Sequence, residues 1–162
     1  MIQSKDDFYR AATSKLLKQI DSMNMTDVDR HQAKKLVMLF RNRFKDPEVK
    51  MATFGPDLNN NISAFTYDSD GFCKASSCTF SDMLGPKDWQ LMYINDLWTF
   101  GPHHYLMHIP SKQVFDLTAD QYTHSGIEIP YYMGYPVRLD QNERKSAERF
   151  AAVLNINKKQ ND

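Results

Sequence analysis

The chain has 162 residues, of which 41% are hydrophobic and 25% charged, and its twenty Lys and Arg residues balance twenty Asp and Glu residues. This length suits one domain with a continuous apolar core, and the composition argues against a largely disordered chain. A formal charge of zero provides no broad positive field for a phosphate backbone, so we expect no nucleic-acid partner. Neither an export signal nor an apolar stretch of about 20 residues is found, so we expect a cytoplasmic protein with no membrane partner.

Two amphipathic helices are predicted at the start of the chain, each after a side chain that can cap it. Ser4 precedes one helix-spaced set of apolar residues, and Thr26 precedes another that should end near Asp46-Pro47. The stretch 47–71 is rich in Pro, Asn, Asp, Ser and Gly, so we expect a loop there with at most one strand.

A third helix is predicted from Cys73 to Leu84, and strands should follow it. Apolar residues of this segment share one broad face, and Gly85-Pro86 should end the helix. Aromatic and β-branched runs broken by turn residues then indicate an antiparallel meander. These runs are Trp89–Phe100, His103–Ile109 and Gln113–Leu117, and Ile127–Val137 is a further candidate strand.

The C-terminal part of the chain predicts one more helix. Asp140 and Glu143 form a pair resembling a capping box at the start of a helix over residues 140–156, and residues 157–162 form a polar tail. We therefore expect a single domain over residues 1–162. Its parts are an N-terminal helical segment (1–46), a core (70–137) and the C-terminal helix. Helices followed by strands describe an α+β fold with segregated elements.

The chain contains only two cysteines, Cys73 and Cys78, and both are expected to be reduced. Cys73 opens a predicted helix, where unpaired N–H groups and partial positive charge favour a thiolate and can hold an oxyanion. Cys78 lies further along the helix among apolar neighbours, as a buried small hydrophobe would. Cys73 is thus the candidate nucleophile, with a buried structural thiol as the alternative.

A hairpin downstream offers the two partners that a thiolate nucleophile needs, an imidazole and a group that orients it. Period-two alternation places His104, Leu106 and His108 on one face. If residues 110–112 form a three-residue loop, Leu106 faces Asp116, and the Cα atoms of His104 and Asp116 lie diagonally about 7–8 Å apart. A two-residue loop would move Asp116 to the opposite face, so the pairing depends on register.

Around these residues the sequence resembles the YunG-like family of small bacterial proteins. The family's Gly-x-Cys, His-Tyr-Trp and Asp-Leu-Thr-x-Asp-Gln-Phe correspond in order to Gly71-Phe72-Cys73, His104-Tyr105-Leu106 and Asp116-Leu117-Thr118-Ala119-Asp120-Gln121-Tyr122. The resemblance covers residues 70–122, and Leu106 replaces the family's Trp. It implies a papain-like or transglutaminase-like core in which the nucleophile helix packs on an antiparallel sheet. It further implies that Cys73 is the nucleophile, His104 the base and acid, and Asp116 the orienting group.

Further groups can be assigned to the candidate site. A second oxyanion donor is needed, and the side-chain amides of Asn61 and Gln90 are candidates, although a run of Asn is also typical of a solvated turn. Trp89, Trp98 and Tyr105 are candidates for the wall of a substrate groove, although aromatic residues on strands more often belong to the core. No metal or other cofactor is expected for this chemistry.

The predicted activity is hydrolysis of an amide bond in a protein, peptide or small-molecule substrate, through an acyl-enzyme. An amine acceptor in place of water would make the same site a transglutaminase. Two alternatives stay open. Cys73, Cys78, His104 and His108 are ligand types that zinc accepts, although the spacing of the cysteines is wider than the usual C-x2-C. The second alternative is a non-enzymatic binding or inhibitory module on a hydrolase-like scaffold.

Overall fold

A computed structural model describes residues 3–96 and 100–156 of the chain. Its helices are α1 (Lys5–Asp21), α2 (Asp27–Arg43), α3 (Pro47–Phe54), α4 (Cys73–Leu84), α5 (Asp120–Thr123) and α6 (Lys145–Val153). Its strands are β1 (Trp89–Asp96), β2 (Gly101–His108), β3 (Gln113–Phe115) and β4 (Tyr135–Pro136), and a 3-10 turn covers Tyr131–Met133. Helices combined with an antiparallel sheet confirm the predicted α+β class.

The first two helices begin where the sequence predicts them, because side chains cap them. The hydroxyl of Ser4 accepts a hydrogen bond from the N–H of Asp7 at 3.1 Å. Thr26 accepts one from the N–H of Asp29 at the same distance. Each cap satisfies one of the N–H groups that the first turn leaves without a partner. α1 and α2 pack against each other and supply Leu16, Ile20, Val37 and Phe40 to the core.

The prediction of a loop over residues 47–71 is wrong at its start, where α3 forms. Asp46 caps α3 by accepting a hydrogen bond from the N–H of Glu48 at 2.9 Å. Pro47 occupies the first turn, where its missing N–H leaves no helical hydrogen bond unmade. The Asp-Pro pair that marks the end of one helix thus begins another. Residues 55–71 are all described and contain turns but no strand.

The four strands form an antiparallel sheet in the order β3-β2-β1-β4, which confirms the predicted meander. β1 and β2 pair along their full lengths, from Trp89 opposite His108 to Asp96 opposite Gly101. The predicted extension of the first strand to Phe100 falls partly on residues 97–99, which lie outside the described residues. Of the candidate strand at 127–137, only β4 forms.

Helices cover one face of the sheet. α4 packs on β1 and β2 and also contacts α2 and α6. Its neighbours build the main core, in which Phe72, Phe80, Phe115, Leu106 and Phe150 are fully buried. A smaller core of Met92, Ile94, Tyr105 and Ile129 lies apart from it. Since Tyr105 and Leu106 are consecutive on β2, these two cores occupy opposite faces of the sheet.

The two hydrogen bonds of the predicted capping box form, but in the turns that precede the C-terminal helix. The N–H of Glu143 donates to the carboxylate of Asp140 at 2.7 Å, and the N–H of Asp140 donates to the carboxylate of Glu143 at 3.1 Å. Regular α-helix begins only at Lys145, because the residues after Asp140 form turns, and it ends at Val153. The predicted tail at 157–162 lies outside the described residues. Within the described ranges, none of the helices has the length and apolar character needed to cross a bilayer.

Candidate active site

Cys73 is the first residue of α4, as the sequence predicts. Phe72 precedes it at the cap position, and no side chain caps the helix. Phe72 is fully buried and stacks on Phe44 with ring centroids 4.4 Å apart, which fixes the start of the helix in the core. The Cys73 side chain is partly exposed. The sulfur therefore lies at the positive end of a helix whose first N–H groups have no side-chain acceptor.

The loop before Cys73 is fixed by two contacts. Gly71 adopts a φ of +81°, and a Cβ atom added there would lie 2.9 Å from the ring of Phe65. Only glycine fits both the left-handed backbone and this close approach. The N–H of Gly71 also donates to the side-chain oxygen of Gln121 at 3.2 Å. The backbone leading to Cys73 is thus tied to the Asp-Leu-Thr-Ala-Asp-Gln stretch.

The register of the β2-β3 hairpin differs from the expected one. His108 pairs with Gln113 and Leu106 pairs with Phe115, so the loop consists of the four residues 109–112. Lys112 closes this loop with a φ of +53°. The expectation that Leu106 faces Asp116 is therefore wrong by one residue. A slip of one residue exchanges the two faces of a strand, so Asp116 shares its face with His103 and not with His104.

The carboxylate of Asp116 is buried and holds the ring of His103. Its Oδ2 atom lies 2.7 Å from Nε2 of His103 and accepts a hydrogen bond from the hydroxyl of Tyr131 at 2.7 Å. Its Oδ1 atom accepts a hydrogen bond from the N–H of Thr118 at 3.1 Å. The orienting role predicted for Asp116 thus has a geometric basis, but toward the other histidine.

Both imidazoles reach the Cys73 sulfur. The thiol lies within hydrogen-bonding reach of His103 and of His104. Nδ1 of His103 is buried and makes no well-aligned hydrogen bond with any described residue, which leaves it available to the thiol. Because consecutive side chains leave a strand on opposite faces, a sulfur close to both must lie beside the strand edge. β3 pairs only with residues 106–108, so it does not cover that edge at the two histidines.

The charges of the thiol and of His103 are coupled. Burial alone raises the pKa of a thiol, but hydrogen bonds to His103 and His104 and their charges lower the pKa of Cys73 to about 5. Burial alone lowers the pKa of an imidazole, whereas the charge of Asp116, its hydrogen bond and the thiolate raise the pKa of His103 to about 10. At neutral pH the site therefore holds a thiolate beside an imidazolium.

A cleft of about 490 Å³ opens at Cys73. Its lining includes His104 and two aromatic residues of the sheet, Tyr93 and Tyr135, whose rings lie 5.8 Å apart at a right angle. His104 packs on Tyr93 with a centroid separation of 4.6 Å. His103 is fully buried and does not line the cleft. The sulfur is thus reached from the cleft on one side and from the buried His103-Asp116 pair on another.

The two predicted oxyanion donors, Asn61 and Gln90, do not line this cleft. Asn61 is exposed, and its amide oxygen accepts hydrogen bonds from Ser63. Gln90 donates to the backbone oxygens of Leu91 and Val137 and lines a neighbouring cleft. The expected positions of Asn61 and Gln90 are wrong because their local hydrogen bonds direct the amides elsewhere.

The predicted groove aromatics are largely core residues. Trp89 is buried against Phe80 and Phe115. Tyr105 is buried in the smaller core and donates to the backbone oxygen of Tyr131 at 3.1 Å. Trp98 lies outside the described residues. Tyr93 and Tyr135 line the cleft instead of Trp89 and Tyr105, and the predictions for Trp89 and Tyr105 are wrong because both rings face cores.

The four candidate zinc ligands are not brought together in the structure. His108 packs on Trp89 with centroids 4.4 Å apart, and its Nδ1 atom lies 3.0 Å from the hydroxyl of Ser111. Cys78 is buried, more than one helical turn beyond Cys73. Over residues 3–96 and 100–156, no group of three or more His, Cys, Asp and Glu side chains is arranged to hold a metal ion.

A second buried carboxylate, Asp120, lies four residues after Asp116. It pairs with the fully buried guanidinium of Arg41 through two hydrogen bonds of 2.6 and 2.9 Å. It also accepts hydrogen bonds from the hydroxyl groups of Tyr67 at 2.8 Å and Ser69 at 3.2 Å. This cluster connects α2 to the loop that leads to Cys73, a role for the N-terminal helices that sequence patterns did not indicate.

Comparisons of the chain with models of protein families, with curated proteins and with solved structures each found no match.

Proposed function

We propose that the protein is a cysteine hydrolase that cleaves an amide bond by acyl transfer. Cys73 attacks the carbonyl carbon, His103 maintains the thiolate, and Asp116 orients and charges His103. The observation that carries the proposal is a buried imidazole, held through Nε2 by Asp116, whose hydrogen bonding and charge lower the pKa of a partly exposed thiol. An activated nucleophile needs a base within reach and a third group that holds the base, and His103 and Asp116 are our candidates for these two roles.

The electrostatics of the site support this role. A thiolate is the reactive form of cysteine, and a pKa of about 5 makes Cys73 almost fully ionised at neutral pH. A buried structural thiol would instead have a raised pKa. Cys78 provides the comparison within the same helix, since it is buried and does not line the Cys73 cleft.

The start of α4 supports stabilisation of the oxyanion. When a thiolate attacks an amide, negative charge develops on the carbonyl oxygen. The N–H groups of the first helical turn of α4 have no capping side chain, and that turn carries no acidic residue that would compete for them. The N–H of Cys73 belongs to this turn, so it is our candidate for one oxyanion donor.

The proposal extends to the fold and the cellular setting. A nucleophile helix packed against an antiparallel sheet is what a papain-like or transglutaminase-like core requires, and α4 packs on β1 and β2 in this way. The contacts of Gly71 with Gln121 and of Asp116 with His103 give physical roles to motif positions shared with the YunG-like family. A nucleophilic thiol must stay reduced, which suits the cytoplasm.

The proposal is tested first by the reactivity of the two cysteines. Wild-type protein is treated with limiting iodoacetamide between pH 4 and pH 9, and alkylation of Cys73 and Cys78 is followed by peptide mass spectrometry. We expect Cys73 to be labelled much faster than Cys78, with a half-maximal rate near pH 5. Equal, slow labelling of both cysteines would refute the thiolate and with it the proposed nucleophile.

Turnover is tested with a panel of dipeptide amides of 7-amino-4-methylcoumarin. We expect release of the fluorophore by wild-type protein and by Cys78→Ala, which is the matched control in the same helix. Cys73→Ala should lose this activity while keeping the circular dichroism spectrum and unfolding midpoint of a folded protein. Addition of an amine acceptor distinguishes hydrolysis from transglutamination by the mass of the acyl product. Turnover that survives in Cys73→Ala would contradict the proposal, as would the absence of turnover with every amide.

A further inference from the structure

Two adjacent histidines contact the same sulfur from different environments. His103 is completely enclosed, and its Nε2 atom is committed to Asp116. His104 is half-buried, lines the cleft with Cys73, and among the described residues makes a ring contact with Tyr93 but no side-chain hydrogen bond to a carboxylate. A substrate that enters the cleft therefore meets the imidazole of His104 and not that of His103.

The leaving group of an amide needs a proton, because an amine anion is too basic to depart. The donor must lie within hydrogen-bonding distance of the departing nitrogen. The cleft that a substrate enters is lined by Cys73 and His104, whereas Nε2 of His103 is held by Asp116 and its Nδ1 atom is buried. The two histidines therefore differ in their access to a substrate in the cleft, although both lie close to the sulfur.

The geometry points to a division of labour in which His103 maintains the thiolate while His104 exchanges protons with the substrate. This inference deepens the proposed function and rests on it. It assigns His104 as a catalytic residue for the leaving group, and it makes His103 a positioning residue that acts through Cys73. The buried imidazole of His103 then stays protonated beside the sulfur while His104 gives its proton to the leaving group.

The steps balance as follows. The thiolate of Cys73 attacks the carbonyl carbon, and the π electrons move to the oxygen. The oxyanion collapses, the C–N bond breaks, and the nitrogen takes the electron pair and a proton from the imidazolium form of His104, which becomes neutral. This leaves a thioester and a neutral amine. Neutral His104 then takes a proton from water, the hydroxide attacks the thioester, and the C–S bond breaks to return the thiolate and release a carboxylic acid.

The test compares two leaving groups on one acyl chain. The best acyl group from the coumarin amide panel is also coupled to 7-hydroxy-4-methylcoumarin as an ester, whose phenolate departs without a proton. The value of kcat/KM reports acylation alone, because acylation includes the first irreversible step. Assays are run at pH 8, where the thiol is ionised. His104→Phe keeps a ring against Tyr93 but carries no proton, and His104→Gln is made in parallel as a polar replacement.

We expect His104→Phe to lower kcat/KM for the amide by about a hundredfold or more and to change kcat/KM for the ester only a few-fold. His103→Asn should lower both values together and should slow alkylation of Cys73 by iodoacetamide at pH 8 more than His104→Phe does, because the charge of Asp116 supports His103. Equal losses for amide and ester in both His104 variants, or no loss in either, would overturn the inference. If wild-type protein cleaves neither probe, the proposed function fails as well.

Discussion

Two buried carboxylates, Asp116 and Asp120, lie one helical turn apart in the chain and have opposite kinds of surroundings. Asp120 accepts hydrogen bonds from a bidentate guanidinium and two hydroxyl groups, all enclosed in the protein. Asp116 holds an imidazole whose second nitrogen is left for a thiol at the edge of a cleft. The first cluster is closed, and the second is open at one end.

The difference explains what each cluster can do. A buried ion pair with every donor engaged has no group left for a substrate, so its charge serves only the folded structure. A carboxylate-imidazole pair with one nitrogen not held by the carboxylate can instead stabilise the charge of a neighbouring group that solvent and ligands reach. We therefore expect changes to the Asp120 cluster to alter stability, and changes to the Asp116 cluster to alter the chemistry of Cys73.

The largest effect is expected from Arg41→Met. The substitution leaves the carboxylate of Asp120 buried without its cation, and breaking a buried pair in this way costs about 3–5 kcal/mol. Urea unfolding followed by circular dichroism measures the loss. The pH dependence of Cys73 alkylation should stay as in wild type, because the groups that lower the pKa of the thiol are His103 and His104.

Lys34→Met is the matched control on the same helix. Lys34 pairs with Asp21 at the surface, where an ion pair contributes about 0–1 kcal/mol. Arg41→Lys should fall between the two, since lysine keeps the charge but cannot form the bidentate contact. A loss of under about 1 kcal/mol for Arg41→Met would contradict a structural role for the cluster.

The next effect is expected from Asp116→Asn. The amide keeps the shape of the side chain but removes the charge that raises the pKa of His103, a change of about 1–3 pKa units for a close pair. With less charge on the imidazole, the pKa of Cys73 rises. If it rises by about two units, about a tenth of the thiol is ionised at pH 6, so alkylation at that pH slows about tenfold.

Above pH 9 the Asp116→Asn and wild-type proteins should react at similar rates, because the thiol is ionised in both. Asp120→Asn is the crossed control: it should be less stable than wild type but should keep the half-maximal alkylation rate near pH 5. An unchanged profile in Asp116→Asn, or a shifted one in Asp120→Asn, would remove the distinction between the two clusters.

The same two aspartates show how far the sequence could predict this site. Cys73 at a helix start and Asp116 after a hairpin are local features, and both are present where the patterns indicate. The choice between His103 and His104 depends on one residue of loop length. Pro110 suggests a three-residue loop, but the left-handed φ of Lys112 accommodates a four-residue loop and exchanges the faces. Sequence periodicity cannot resolve that difference.

Other features of the fold also differ in whether neighbouring residues in the sequence are enough to predict them. α3 could have been predicted, because Asp46 followed by Pro47 is a helix start as well as a helix end. The pairing of Arg41 with Asp120 could not, because the two residues are 79 positions apart and no repeated spacing connects them. Arg41 belongs to a helix whose sequence suggests a solvated charge, and only tertiary packing buries it.

Two matched tyrosines each donate a hydroxyl hydrogen bond to one carboxylate, and one of them gives the smallest expected change, a slight shift in the pKa of His103. Tyr67→Phe removes the donor to Asp120, and Tyr131→Phe removes the donor to Asp116. A hydrogen bond to a buried charge contributes about 1.5–3 kcal/mol, so Tyr67→Phe should lower the unfolding free energy by about that amount. Tyr131 is only half-buried, and water can replace part of its bond, so its loss should be smaller.

The chemistry should show the reverse order. In Tyr131→Phe, Oδ2 of Asp116 keeps His103 as its side-chain donor, so the carboxylate attracts the imidazolium more strongly and the pKa of His103 rises slightly. In Tyr67→Phe the pKa of His103 should not change. An NMR titration of the His103 ring between pH 6 and pH 11 measures both. Equal shifts in the two variants would mean that the Asp120 cluster affects the pKa of His103 as much as the Asp116 cluster does. The proposed separation of a structural cluster from a chemical one would then be wrong.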